Sequence, residues 1–345
     1  FIDVIRQSNL CVVPETKILT DKGYVEISSV CGEKTNVWNG EEWSSVEVKK
    51  TGENQKIVRV ETNSGQSLEC TEYHKFYTIE KNKWNRTKVV EKRAGELKAG
   101  DLLIKFDLPI IEGTTTLEDA WLNGFYSGDG FVDGKRQRVY FYGQKRKMVS
   151  AVKSGALSHA VQEEQDREIL MFGHLKDKFF VPDCTYTLAS RMEWLAGIFD
   201  SDGTLCHNNN TQSIQLTSVN QKFLKDIQLM LQTCGVVSKI QSHGSAGYKP
   251  LPANDGSGES KLFYCQASYR LLIGNHELTK LQNLGISFRR LSPDSHKANR
   301  ECLHFNKVKG VYDDGRVSDT FCFTEPKRNM GMFNGMLTGQ CEEIA

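Results

Sequence analysis

The sequence lacks several features that would narrow its class at once. Among its 345 residues, no apolar run approaches the ~18 needed to cross a membrane as a helix, and no N-terminal signal pattern is present. It has no excess of charge: 44 Lys and Arg stand against 43 Asp and Glu, a net charge of +1, so any argument for nucleic acid must be local. Its ten cysteines include no CxxC pair, which argues against a structural zinc site. A disulfide framework belongs to short exported chains, so most of these cysteines read as small buried hydrophobes in a reducing, intracellular compartment, cytoplasmic or nuclear. What remains is a soluble globular composition, 39% hydrophobic and 25% charged, long enough for two or three domains.

Residues 12–108 read as short strands with Gly or Asn turns between them, among them KGYVEI, NVWNGEEW, HKFYTI and GDLLIKF. PIIEGTTTLEDA at 109–120 reads as a linker running into a helix start. Strand character returns from 311 in VYDDGRVSDTFCFT and GMFNGMLTG. Between these β parts lies a repeat: WLNGFYSGDGFV at 121–132 reappears as WLAGIFDSDGTL at 194–205, at a common offset of 73 residues (Asp129 to Asp202). Strand-like then helix-like text follows each copy: RVYFYG before KMVSAVKSGALSHAV, SIQLTSV before QKFLKDIQLMLQTCGV, and last YRLLIG before NHELTKLQNLGI. The stretch 244–260 reads as a loop.

Each copy can be written as a helix ending in an acid and a glycine. Gly124 and Gly128, and likewise Gly197 and Ser201, are four apart and share a helix face, so two small-residue stripes let the backbones approach closely. Asp129 and Asp202 then fall together at helix C-termini. The helix dipole disfavours them there, and a divalent cation of the kind used in phosphodiester hydrolysis would relieve the cost.

WLAGIFDSDG is very similar to the name-giving motif of the LAGLIDADG homing endonucleases, and WLNGFYSGDG looks like a divergent first copy. The resemblance implies two pseudo-symmetric αββαββα halves whose final acids, Asp129 and Asp202, bind Mg²⁺ and cut double-stranded DNA. It makes Lys178, in KFFVP at 178–182, a candidate catalytic lysine. The basic cluster Lys135, Arg136, Arg138, Lys145, Arg146 and Lys147 falls where the first DNA-facing sheet would lie, and suits phosphate and guanine contacts.

The two ends read into one another. Leu10 placed before Cys341 gives QSNL-CEEIA as continuous text. Cys11-Val-Val-Pro and Thr71-Glu-Tyr-His74 resemble the N-terminal splicing blocks of inteins, and VSDTFCFTEPKRNMGMFNGMLTGQ-C resembles their final blocks. A thiol at Cys11 can attack the Leu10 carbonyl to make a thioester, and Thr71 with His74 can supply a hydrogen bond and a proton to the departing nitrogen. By resemblance Asp319 helps activate Cys341, which takes the acyl group before Gln340 cyclises to release the C-terminal flank. Gly339-Gln340 departs from the family's His-Asn, and Asn329 stands where the upstream block histidine is usual. Gln closes a glutarimide rather than a succinimide; the acid assisting it is left open, with His304 a substitute. Ring size alone suggests that Gln340→Asn keeps or speeds release.

QSNLCEEIA resembles the radical-site segment of the class I ribonucleotide reductase large subunit. The organisation expected is a host flank (1–10), a β-rich Hint-type horseshoe splicing domain in two parts (11–116 and 292–340), an inserted α/β endonuclease (117–291) and a second flank (341–345). Splicing needs no cofactor and DNA cleavage needs Mg²⁺. The partners expected are duplex DNA and the flanking host segments in cis, with no membrane, and the chain is expected to be a monomer. Two rivals stand beside this: a splicing intein whose nuclease has decayed to DNA binding, and a DNA endonuclease or regulator that never splices.

Overall fold

The computed structural model describes residues 12–81, 87–134, 136–208, 211–252, 260–294 and 306–340. Cys11, Lys135, His304 and Cys341 lie outside these residues. The chain divides into two compact units, one of Phe1–Ile111, Leu231–Gly235 and Cys302–Ala345, the other of Glu112–Met230 and Val236–Glu301. No described helix is long and apolar enough to cross a membrane.

The first unit is built from strands. In chain order they are β1 (Lys17–Thr20), β2 (Gly23–Glu26), β3 (Lys34–Trp38), β4 (Trp43–Lys56), β5 (Val58–Thr62), β6 (Ser67–Cys70), β7 (Lys75–Lys81) and β8 (Thr87–Arg93). After the second unit come β19 (Val308–Tyr312), β20 (Val317–Phe323), β21 (Met330–Phe333) and β22 (Met336–Gly339). One sheet runs β20-β4-β3-β1-β21-β22 with β2 on β1; another runs β19-β5-β6, and β7 pairs with β8. Alternation sets the buried face: along β4, Ser44, Val46 and Val48 point inward while Ser45, Glu47 and Lys49 face water. Val12, Ile18, Val48, Val60, Leu68 and Phe76 share one core with Val308, Phe323, Phe333 and Met336, so residues far apart in sequence bury one another. Complete burial of Phe333 alone is worth about 2–3 kcal/mol.

The β21–β22 hairpin turns on Asn334 and Gly335, at φ 48° and 80°. Both central residues of such a two-residue loop need positive φ, which Asn-Gly tolerates best. Asn334 also fastens the turn: its Oδ1 accepts from the Lys17 amide at 2.8 Å, and its Nδ2 donates to the Ser67 carbonyl at 3.0 Å. This hairpin fixes where Gly339 and Gln340 emerge.

The second unit contains α1 (Ala120–Asp129), β9 (Gly130–Asp133), β10 (Arg136–Tyr142), β11 (Ser158–Gln162) and β12 (Arg167–Phe172). It continues with α2 (Leu188–Asp202), β13 (Gly203–Asn208), β14 (Thr211–Ser218), α3 (Gln221–Gln232), β15 (Lys239–Gly244), β16 (Gly247–Pro252), β17 (Ser260–Cys265), β18 (Ser268–Ile273) and α4 (Asn275–Asn283). Two four-stranded antiparallel sheets result, β11-β12-β10-β9 and β13-β14-β18-β15.

Two local expectations fail. KMVSAVKSGALSHAV is not an α-helix: Gly143–Ala151 and Lys153–Gly155 form 3₁₀ turns and Ser158–Gln162 is a strand. Within Gly143–Ala151 only Met148 and Val149 are buried, so no apolar stripe at helical period exists to hold an α-helix against a core. Nor is 244–260 wholly a loop, since Gly247–Pro252 pairs in register with Ser260–Cys265. The ribbon has only two strands, so Pro250 and Pro252 can sit where their missing N–H groups face outward.

Candidate functional site

In the second unit α1 and α2 pack backbone to backbone. A Cβ on Gly124 would lie 1.9 Å from the Trp194 carbonyl oxygen, and a Cβ on Gly197 would lie 1.9 Å from that of Trp121. The contact is reciprocal, and only glycine permits it at either position. Further along, a Cβ on Gly128 would lie 1.7 Å from Ser201 Oγ and 2.8 Å from Asp202 Oδ2. Large side chains flank the crossing. Trp194 is fully buried, and Phe125 stacks between Trp121 and Phe141 at 4.9 and 4.8 Å.

The geometry brings Asp129 and Asp202 to adjoining helix ends. Burial pushes the Asp202 carboxyl above its ordinary range and the Asp129 charge adds to this, while Lys145, Lys178 and Arg290 oppose it. Lys178 is held below the usual lysine range by burial, against the pull of Asp202 and Asp129. Its Nζ donates to the carbonyls of Gly128, at 3.2 Å, and Gly130. Arg290 does the same for α2. It donates to the carbonyls of Asp200 at 2.5 Å, Phe199 at 2.9 Å, Ser201 at 3.4 Å and Gly203 at 2.5 Å. Two side-chain cations thus compensate the negative helix ends on which the acids sit.

Sequence reasoning missed this second cation, and it missed Asp200. That fully buried carboxylate accepts from Trp121 Nε1 at 2.9 Å and from the amides of Arg289, Arg290 and Leu291 at 2.7, 2.8 and 3.3 Å. It ties the segment after α4 to both motif helices, while the Arg289 guanidinium sits 4.0 Å over the Trp121 ring. The sequence does carry a faint signal, the Arg-Arg pair following the last helix.

The basic cluster is largely engaged by acids. Lys145 Nζ lies 2.5 Å from Asp129 Oδ2, so this lysine belongs to the carboxylate pair's surroundings. Arg146 contacts Glu163, Asp166 and Glu168 at 2.8, 3.0 and 3.2 Å, and Arg138 pairs with Asp133. Arg136 reaches Met171 Sδ at 3.8 Å, and Lys147 is exposed.

In the first unit the chain directly after Cys11 is gripped on both sides. Val12 exchanges backbone hydrogen bonds with Phe321 at 3.1 and 2.9 Å, and the Val13 amide donates to the Glu69 carbonyl at 3.3 Å. Thr71 and His74 close a turn through His74 N–H to Thr71 O at 3.1 Å, and both side chains are buried. His74 Nε2 lies 2.9 Å from Thr338 Oγ1, while its buried Nδ1 has no partner among the described residues. Burial lowers the imidazole to about 4, so the ring is neutral near pH 7. Asp319 lies elsewhere on β20. Its half-exposed carboxylate pairs with Lys50 at 2.8 Å, which lowers its pKa, and it accepts weakly from the Asn54 amide.

Gln340 is buried and held by one residue. Its Nε2 donates to the Glu325 carbonyl at 3.0 Å, and the Glu325 amide donates to its Oε1 at 2.5 Å. Gly339 is needed where it stands, because a Cβ there would lie 2.6 Å from Lys75 Cβ and 3.3 Å from the Tyr77 ring. Asn329 takes a left-handed conformation, φ 56°, which suits asparagine better than most residues.

Residues 189–284 match the LAGLIDADG-like domain family, a span that includes the second motif copy. The chain is 37% identical over 352 aligned residues to the ribonucleoside-diphosphate reductase large subunit of Invertebrate iridescent virus 6, covering 99% of this chain and 36% of that protein. It is 25% identical to the ribonucleoside-diphosphate reductase NrdEB subunit alpha of Bacillus subtilis (strain 168), covering 99% of this chain and 37% of that protein. The chain therefore spans little more than a third of the length of these relatives. Among solved structures, a G-1F mutant of the Ssp DnaB mini-intein variant M86 aligns with 97% of this chain and 100% of that one, at 10% identity and a TM-score of 0.34. The chain thus carries a LAGLIDADG-like domain in a sequence related to part of ribonucleotide reductase large subunits.

Proposed function

We propose that this chain is an intein spanning Cys11–Gln340, with a homing endonuclease inside it and ribonucleotide reductase flanks on either side. The observation that carries the reading is the contact between His74 and Thr338, residues 264 apart, in which the candidate N-terminal proton-transfer group meets the strand that leads into Gln340.

The chemistry is self-contained. Cys11 Sγ attacks the Leu10 carbonyl carbon, and the nitrogen of Cys11 leaves as an amine, forming a thioester. His74, neutral near pH 7, serves this step by accepting the Cys11 thiol proton and passing a proton to that nitrogen, with Thr71 alongside to hydrogen-bond. The Cys341 thiolate, which Asp319 helps to form, takes the acyl group to give a branched chain. Gln340 Nε2 then closes on its own backbone carbonyl and frees the amine of Cys341, which displaces sulfur and joins Leu10 to Cys341 by a peptide bond. Both thiols must stay reduced, which fits a reducing compartment.

For DNA cleavage, Asp129 and Asp202 are the residues that would hold Mg²⁺, which when bound supplies Lewis-acid stabilisation of the phosphodiester. Two carboxylates at adjoining helix ends on a glycine-lined crossing, one of them pushed up by burial and by the other's charge, fit a divalent cation. Lys178 lies within electrostatic reach of both, and Arg136 and Lys147 contribute phosphate contacts. Duplex DNA bearing the uninterrupted host sequence is the substrate, and the chain acts as a monomer.

A second reading, an intein whose nuclease only binds DNA, is favoured by the ion pair between Lys145 and Asp129, because a cation already occupies that acid. Incubating the protein with a plasmid carrying the host site in Mg²⁺ separates the two: linear product supports the nuclease, and binding without nicking supports decay. For splicing, thiol added to a flanked precursor should release the N-terminal flank, and His74→Ala should suppress that release. A precursor inert to thiol would contradict the intein assignment.

A further inference from the structure

We infer that Glu325 is the positioning residue for C-terminal release, and that its backbone selects glutamine at position 340. The inference rests on the intein reading above and goes beyond it, because that reading gave Glu325, which lies within the final-block segment, no role.

The Gln340 side chain has three rotatable bonds, and an amide free to turn about them spends little time aimed at its own carbonyl. Here both ends of the amide are fixed by a single residue, Nε2 to Glu325 O at 3.0 Å and Oε1 to Glu325 N at 2.5 Å. The Glu325 backbone is itself immobilised by its side chain. That fully buried carboxylate accepts from the Lys327 amide at 3.1 Å, the Arg328 amide at 2.7 Å and Asn39 Nδ2 at 3.3 Å. Asn39 in turn accepts from the amides of Glu41 and Glu42 at 3.2 and 3.0 Å. A continuous run of hydrogen bonds, buried from Asn39 through Glu325 to Gln340, therefore leads from the turn after β3 to the reacting amide. A buried polar set that is fully paired fixes geometry, and one that is broken costs about 1–3 kcal/mol for each stranded group.

The reaction fits this placement. Nε2 bonds to the Gln340 carbonyl carbon, and the bond from that carbon to the Cys341 nitrogen breaks. One Nε2 proton leaves as the ring closes and the departing nitrogen gains one, so no proton is consumed overall. The donation from Nε2 to Glu325 O orients the nucleophile and leaves its second proton available for this exchange.

The same geometry explains both departures from His-Asn. Asparagine is shorter by one methylene, so it cannot hold both Glu325 contacts from the same backbone position. A histidine at 339 has no room, since even a Cβ would lie 2.6 Å from Lys75 Cβ. This reverses the expectation drawn from ring size alone: Gln340→Asn should slow release.

The test uses the full chain between reporter flanks and reads two rates in one sample, thiol-induced cleavage at Cys11 and appearance of the free C-terminal flank. Gln340→Asn and Glu325→Ala should each slow C-terminal release at least about tenfold while thiol cleavage stays at the parental rate. Glu325→Gln, which keeps one acceptor oxygen, should recover part of the loss. Release at or above the parental rate in Gln340→Asn and Glu325→Ala, with thiol cleavage intact, would overturn the inference and leave splicing standing. A parental chain with neither thiol cleavage nor ligation would instead remove the reading beneath it.

Discussion

His74 Nε2 and Thr338 Oγ1 stand 2.9 Å apart inside a fully buried pocket, with the rings of Phe76 and Phe333 edge-on to the imidazole at 5.4 and 5.6 Å. The imidazole pKa is lowered to about 4 there by burial, against an ordinary histidine value of about 6.5. A histidine whose folded pKa is depressed contributes stability that is fully present above the unfolded value. That contribution is lost as pH falls from about 6.5 toward 4, and at most it amounts to about 3 kcal/mol. Hydrogen exchange on β7 and β22 should therefore quicken as pH falls through this window, after correction for intrinsic exchange. His74→Asn should remove that component of the pH dependence, and an unchanged profile would mean that the imidazole does not titrate there.

The reciprocal glycines of α1 and α2 admit no side chain. Gly124→Ala or Gly197→Ala places a methyl 1.9 Å from a backbone carbonyl oxygen, so the helices must separate. A loss of about 3 kcal/mol or more in the stability of the second unit is expected. DNA cleavage should disappear, while splicing, which the proposed function assigns to residues of the first unit, should continue.

Asp202→Asn should abolish cleavage and leave splicing intact, and normal cleavage by this variant would remove the metal-site assignment. Lys145→Ala tests the ion pair to Asp129 from the other side. Deleting a competing cation should lower the Mg²⁺ concentration needed for half-maximal cleavage. No cleavage at any Mg²⁺ concentration would instead place Lys145 among the groups the reaction requires.

Arg290 closes α2 by donating to four carbonyls near its end. Arg290→Ala strands those carbonyls beside Asp202 and should cost about 1–3 kcal/mol, read as a lower melting temperature of the second unit. Arg290→Lys should restore only part of this, because an ammonium cannot reproduce the planar fork.

How much of this was legible in the sequence follows from how local each signal is. The close helix contact could be read from Gly124, Gly128, Gly197 and Ser201, since four-residue spacing defines a helix face without reference to anything else. The Asn334-Gly335 turn is equally local. The 3₁₀ turns at 143–151 were misread because Met148 and Val149 suggest a helix that the surrounding polar residues cannot bury. The β16–β17 ribbon was hidden by its own prolines, and by a partner strand that begins eight residues after β16 ends. Glu325 and Asp200 both lie within motif segments, but nothing in the sequence marks the partners they hold. Glu325 acts on Gln340 through main-chain atoms, and Asp200 through a segment about ninety residues further on, so neither role exists until the chain has folded.

The central claim is that residues 11–340 excise themselves and join their neighbours. Intact mass spectrometry, after expression of the chain between two larger reporter domains, tests it most directly. The account predicts joined reporters with Leu10 bonded to Cys341, together with a free fragment of residues 11–340 whose mass is that of a glutarimide end at Gln340. A single unprocessed product holding all 345 residues between the reporters would contradict it.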